Sequence, residues 1–369
     1  MASLTLIAEP FPDWEMQVQR AAALDLVKAI GATAPRSCSA RLLLAKGSPE
    51  LDISSAKIQT EYLPIRAGML PLLWQSGTTA RPLDGEFVHS LTPLMPLRSR
   101  GEDDGSQSSV TIPHAIAWEA PSLMGNSQAR LYRSYVRRAV KLADVLITNT
   151  HATARALQSK YGHDLPVQVM QLAPPAPFLP GADAAERRAA LKLPALYSLT
   201  TAMPGELGRL EWVFEAMRST PSLPPLVVLE GLDPLPATRD ASEPCVRVPD
   251  DLQARVSVVR PRELADIGAV LDGAALLAQP QAYTGTGYTL LAALATGLPV
   301  LHAGHESTAE IVLDAAVEAS DQAAFVAQFA DLFRDVEQLH TLSVLAIDRS
   351  RGFTWASAAW QLWETHANL

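Results

Sequence analysis

The chain has 369 residues, 48% of them hydrophobic, and a formal net charge of −9 at pH 7. That much apolar material suits two globular domains and excludes a disordered chain, while the acidic balance argues against general nucleic-acid binding. No apolar run reaches the roughly 18 residues of a membrane span, the first residues lack the pattern of a signal peptide, and two distant cysteines, Cys38 and Cys245, exclude a disulfide framework.

Predicted strands and helices alternate along the chain. Residues 4–8 read as a strand, and residues 15–31 as a helix with Val18, Ala22, Leu24, Leu26, Val27 and Ile30 mostly on one side. A short apolar run follows at 40–45, and strands are predicted at 86–91 and 110–112. Between them, Arg98 to Ser109 holds no apolar residue and reads as a mobile surface loop. An amphipathic helix over 128–143, a strand over 145–149, a helix over 152–161 and a strand over 167–172 complete the first set. Residues 173–181 carry four prolines in nine residues, which no helix can cross, so a domain boundary is expected there.

The second set reads as strand 197–202, helix 210–218, strand 226–230, strand 255–259, helix 263–271 and strand 274–278. A glycine-rich turn and a short apolar helix follow, then apolar runs at 300–303 and 309–313, and helices at about 321–337 and 354–367. Such alternation implies parallel sheets covered by helices on both faces, with ligands at the carboxyl ends of the strands.

The most informative stretch runs from Pro280 to Leu301, PQAYTGTGYTLLAALATGLPVL. Gly285 and Gly287 allow a tight turn and close approach to a ligand. Tyr288 to Thr296 can form a buried helix, which Gly297 and Pro299 would end. The free amides at the start of such a helix favour a phosphate.

This stretch resembles the donor-binding motif of retaining GT-B glycosyltransferases: Pro-Ser-x-x-Glu-Gly-Phe-Gly, a helix bearing a second Glu, then Ala-Met-Ala-x-Gly-x-Pro-Val. The glycines, the helix and the Gly-x-Pro-Val ending match. Thr284 and Ala292 stand where that family has its two glutamates, the first beside the donor sugar and the second on the ribose hydroxyls. Other segments are similar in the same order. Val88 to Pro96 resembles the family's His-to-Pro strand and loop, and Val110-Thr-Ile-Pro-His-Ala115 its Val-Thr-x-x-His-Asp strand end. Ala143 to Thr150, Ser307 to Ala316 and Phe353-Thr-Trp355 have counterparts as well. The resemblance covers most of residues 85–369.

The resemblance implies a GT-B fold, two Rossmann-like α/β domains facing each other across a cleft. An acceptor-side domain is expected over 1–175, a nucleotide-sugar domain over 176–352, and a last helix over 353–369 packing back on the first domain. It implies a nucleotide-diphosphate sugar as donor substrate, no cofactor and no metal. His114 stands at the family histidine near the donor sugar. In the loop Met203-Pro-Gly-Glu-Leu-Gly-Arg209, Arg209 is the one cation and falls about where the family has a lysine. The expected donor-binding residues are Gly205, Arg209, Thr284, Gly285, Thr286, Gly287, Tyr288 and Thr289. The acceptor would be a glycan or a lipid-linked sugar. Arg130, Arg133, Arg137 and Lys141 form one basic helical stripe, a solvated face or a contact with acidic lipid headgroups at the inner membrane face. A cytoplasmic location is expected. Loss of both glutamates leaves open a second reading, a non-catalytic binding or partner subunit of the same fold.

Overall fold

Runs such as Val145-Leu-Ile-Thr148 and Leu226-Val-Val-Leu229 are buried along their whole length. Only strands covered on both faces read this way, and the paired strands are parallel throughout. The computed structural model describes residues 2–48, 53, 57–76, 87–99, 105–203, 205–231 and 246–369. Residues 100–104 of the expected loop, Pro204 and Cys245 lie outside them. The chain has a two-sheet Rossmann-like α/β architecture, and it divides into two compact units, Met1–Ala173 with Thr354–Leu369, and Pro174–Phe353.

In the first unit the elements are β1 (Ala2–Ile7), α1 (Met16–Thr33), β2 (Cys38–Lys46), β3 (Ile58–Arg66), α2 (Leu70–Gln75), β4 (Phe87–Ser90), β5 (Gln107–Thr111), α3 (Ile116–Glu119), α4 (Pro121–Met124), α5 (Asn126–Leu142), β6 (Val145–Thr148), α6 (His151–Tyr161) and β7 (Val167–Val169). Their sheet runs β3-β2-β1-β4-β5-β6-β7. The order reverses between β1 and β4, which places a crevice at their carboxyl ends. Part of the loop expected at 98–109 is strand instead: Gln107 to Ser109 pair with β4. Their serines escape a hydropathy reading because their hydroxyls are hydrogen-bonded inside the sheet. Ser108 Oγ bonds Asp144 at 2.9 Å.

The second unit contains α7 (Ala184–Ala190), β8 (Tyr197–Thr201), α8 (Leu210–Ser219), β9 (Leu226–Leu229), β10 (Val256–Val259), α9 (Leu264–Gly273), β11 (Ala274–Gln279), α10 (Tyr288–Thr296), β12 (Val300–His302), α11 (Glu306–Val312), β13 (Ala316–Glu318), α12 (Gln322–Arg334) and α13 (Val336–Ser350). The sheet order is β10-β9-β8-β11-β12-β13. Val213, Phe214, Met217, Leu276, Phe325 and Phe329 fill its core. Two expectations need correction. The apolar run 309–313 belongs mostly to helix α11, with the strand displaced to 316–318. The helix expected at 321–337 is two: Asp335 ends α12 and caps α13, its carboxylate accepting the Gln338 amide at 2.9 Å. Buried Leu342 and Ala346 carry the spacing that marks α13.

The last helix, α14 (Trp355–Asn368), packs against α1 within the first unit. The Trp363 indole N–H reaches the Ile30 carbonyl at 3.4 Å. A buried polar chain joins it to the sheet. Ser109 Oγ lies 2.9 Å from His89 Nδ1 and 3.0 Å from His366 Nε2, and His366 Nδ1 lies 3.3 Å from Gln107 Oε1. The His366 ring also stacks on Phe87 at 5.4 Å. Burial lowers the pKa of His89 to about 3, aided by the charge of His366. Burial lowers that of His366 to about 4, with Asp144 opposing. Both rings therefore stay neutral in the fold, whereas the unfolded chain protonates them below its ordinary value of 6.5. Stability is complete above that value and is lost as pH falls from it towards the folded values. A melt series from about pH 7.5 to about pH 4.5 should show a falling Tm, and His366→Gln should flatten that fall while lowering Tm at neutral pH.

Candidate functional site

In the second unit the strand order reverses between β8 and β11, so the loops leaving them diverge and open a crevice. The backbone ties these two loops together. The Ala282 amide donates to the Leu207 carbonyl at 2.9 Å. The Gln281 amide side chain donates to the Thr201 carbonyl at 2.6 Å. Gln281 is buried, and its Oε1 has no hydrogen-bond partner.

The β8–α8 loop is shaped by two glycines and an arginine. Gly205 has φ 70°. At Gly208 a Cβ would stand 2.0 Å from the Met203 carbonyl oxygen, so no side chain fits. Arg209 then adopts left-handed backbone, φ 47° and ψ 30°, directly before α8. That conformation is costly for a residue with a Cβ. Its guanidinium lies 4.7 Å from the centre of the Trp212 ring, one turn into the helix. Trp212 in turn meets Phe325 edge-on at 5.8 Å. The left-handed turn therefore fixes where the loop's cation sits.

The β11–α10 loop brings Thr284, Gly285, Thr286 and Gly287 to the start of α10, which opens with Tyr288 and Thr289. Gly287 needs its glycine twice over. Its φ is 88°, and a Cβ would meet Ile311 Cδ1 at 2.5 Å. Gly285 does not enter the left-handed region. Thr286 and Tyr288 are buried, whereas Thr284, Gly285 and Thr289 are half-buried. Ala292 is completely buried. Gly297, at φ 70°, caps the helix.

One residue of this region, His305, escaped the sequence reading of the donor site. Tyr283 packs on His305 with ring centres 5.2 Å apart, and His305 leads into α11 from the β12 side. Burial lowers the pKa of His305; Glu306 opposes the shift and nearby Arg209 adds to it. Three separate loops thus bring Arg209, Tyr283 and His305 into one neighbourhood. A lone histidine before a seven-residue helix gives no signal in sequence.

His114 belongs to the other unit, just beyond β5. Its ring is sandwiched between Trp14, 5.5 Å away at 19°, and Tyr132, 5.0 Å away at 12°. The Tyr132 hydroxyl donates to its carbonyl at 3.1 Å. Both ring nitrogens are buried without a hydrogen-bond partner, and burial lowers the pKa to about 4. His114 is thus a neutral imidazole held flat in an aromatic stack. The stack, with Phe11 edge-on to Tyr132 at 5.1 Å, draws Trp14 from the β1–α1 connection and Tyr132 from α5.

No protein-family model and no curated protein matches the sequence. Solved structures do resemble the fold. Sucrose-phosphate synthase from Thermosynechococcus elongatus superposes with a TM-score of 0.69 at 16% identity, covering 100% of this chain and 99% of the other. HepE from Anabaena in complex with UDP-glucose gives a TM-score of 0.64 at 14% identity over 100% of both chains. WaaG, a glycosyltransferase of lipopolysaccharide biosynthesis, gives 0.59 at 16% identity over 98% of each. These likenesses establish the fold, two Rossmann-like α/β units as in the GT-B glycosyltransferases.

The contact between Gly208 and Met203 is the most restrictive in the site. Gly208→Ala should lower unfolding stability by about 1–3 kcal/mol through backbone overpacking, seen as a lower midpoint in chemical denaturation. Gly205→Ala, with nothing within 4 Å of the added Cβ, should cost only the backbone strain of φ 70° and ψ −167°, about 1–3 kcal/mol.

Proposed function

We propose that this chain binds a nucleotide-diphosphate sugar on its second unit and transfers the sugar, with retention and without a metal, to a glycan or lipid-linked acceptor. The observation that carries this reading is Arg209. A residue held in left-handed backbone beside a glycine-locked loop, at the strand-order reversal, is a cation placed for a ligand. A planar guanidinium can hold a diphosphate through two parallel hydrogen bonds, and charge built up as the nucleotide leaves would be stabilised there. Gly205, Thr284 to Gly287, Tyr288 and Thr289 line the same loops, and the amides at the start of α10 suit a phosphate. The solved complexes of HepE with UDP and with UDP-glucose support a uridine nucleotide as the first ligand to test.

Thermal shifts across a panel of nucleotide sugars identify the donor, since a ligand that binds only the folded state raises Tm. Arg209→Ala should weaken its binding by one to two orders of magnitude, about 1.5–3 kcal/mol for a charge-assisted contact. Equal affinity for wild type and variant by calorimetry rejects the assignment.

The second reading, a non-catalytic binding subunit, is favoured by Ala292. Its methyl is completely buried and offers ribose neither a charge nor a hydrogen bond. Slow hydrolysis of the bound nucleotide sugar without acceptor separates the two. An enzyme should release free sugar, and a binding subunit should leave the donor intact.

Contact with an anionic membrane at its cytoplasmic face belongs to the same proposal. On α5, Arg130, Arg137 and Lys141 are exposed and Arg133 is half-buried. The segment before and within α2 is tied to α5 by Gln75 to Ser134 at 3.1 Å and by the Tyr135 hydroxyl to the Pro71 carbonyl at 2.6 Å. That segment carries Met69, 56% exposed, and Leu72, 72% exposed. Basic and apolar side chains together suit an acidic lipid surface. Vesicles containing phosphatidylglycerol should sediment the protein at low salt and release it at high salt. Leu72→Glu with Arg137→Glu should abolish sedimentation.

A further inference from the structure

The donor loops have one cation, Arg209, for a ligand group that carries two negative charges. His305 stands beside it. This histidine comes from a third loop, between β12 and α11, and is packed on Tyr283 at a ring separation of 5.2 Å. Its Nδ1 is buried without a hydrogen-bond partner. A buried ring nitrogen left unpaired is unfavourable until something accepts from it or donates to it. The next residue back, Gly304, has φ 77°, and a Cβ there would come within 3.0 Å of Glu318 Oε1. The turn that presents His305 is therefore glycine-locked, as is the turn that presents Arg209.

We propose that Arg209, Tyr283 and His305 form the diphosphate end of the donor site, and that His305 takes up one proton from solvent when the diphosphate binds. This rests on the donor reading of the same loops. The proton balance is simple. The free site holds neutral imidazole, because burial disfavours its charge and the neighbouring guanidinium adds to that effect. A diphosphate between them reverses the sign of the local field, so the imidazolium becomes the favoured form and one proton leaves the buffer. No bond in the sugar nucleotide changes at this step. The charged and titratable groups around His305 are Arg209, Tyr283, Glu306 on α11 and His302 on β12, whose own partner is Glu318. Among these, His302 is the competing candidate for the proton. The His302 Nδ1 already accepts the Gly304 amide at 3.1 Å, which commits it to the turn. A site with this device binds its donor more tightly as pH falls and needs no lysine in the β8–α8 loop.

The test is calorimetric titration with UDP-glucose, whose diphosphate diester keeps its charge over the range used. Runs at one pH in PIPES and in Tris separate buffer heat from binding heat, and wild type should show net proton uptake. Its Kd should weaken by roughly tenfold between about pH 6.5 and about pH 8.5, as linkage to one histidine requires. His305→Gln should bind more weakly at low pH, with neither proton uptake nor pH dependence, and with unchanged Tm in the absence of ligand. Binding by wild type with no proton uptake overturns the inference and leaves the donor reading intact, whether or not the variant folds. Uptake that survives in His305→Gln but disappears in His302→Gln also overturns it. No binding of UDP-glucose or of any other nucleotide sugar overturns the donor reading itself.

Discussion

The second unit depends on one constraint: β8 and β11 are neighbours, yet the chain leaves them in opposite directions. Strands hydrogen-bonded side by side must release their loops at the same edge, and the reversal of order forces those loops apart. A crevice results before any ligand is considered. The bonds from the Ala282 amide to the Leu207 carbonyl and from the Gln281 side chain to the Thr201 carbonyl then tie its two walls together. Everything placed on the two loops inherits that spacing, including the guanidinium of Arg209 and the first turn of α10.

Around this crevice, backbone conformation is set by steric exclusion rather than by attraction. At Gly208 and Gly287 a methyl group would strike the Met203 carbonyl and the Ile311 side chain, and Gly304 is held at a positive φ that favours glycine. Such positions leave a loop few alternatives, so it needs little ordering when a ligand arrives. Arg209 runs against the same logic, since a left-handed arginine is strained. Its stacking on Trp212 offsets part of that strain. The first unit solves a different problem. There the polar groups are buried in the sheet and beneath α14, and the histidines stay neutral because burial disfavours charge.

Much of the α/β architecture was legible in the chain because parallel strands buried on both faces leave continuous apolar runs. Glycine and proline mark the ends of helices such as α10. The misreadings have two causes. Gln107 to Ser109 look like loop because hydroxyls and amides read as solvent-facing, and only their bonds to Asp144, His89 and His366 show them to be interior. The helices α11 and α13 were misplaced or missed because a capping Asp and a short apolar run fit several element types until packing chooses among them.

By itself, the sequence determined the alternation of strands and helices, the glycine turn before α10, and the presence of a single cation in the loop after β8. Those are local properties, set by side-chain period, by the conformational freedom of glycine and by the rigid ring of proline. Tertiary structure alone decided which loops meet. Arg209, Tyr283 and His305 are separated by up to about a hundred residues, and no local rule relates them. They converge because sheet order places β8, β11 and β12 side by side. The neutrality of His114 was likewise invisible in sequence. It arises from Trp14 and Tyr132 closing on both faces of the ring and shutting out the water that a charge would need.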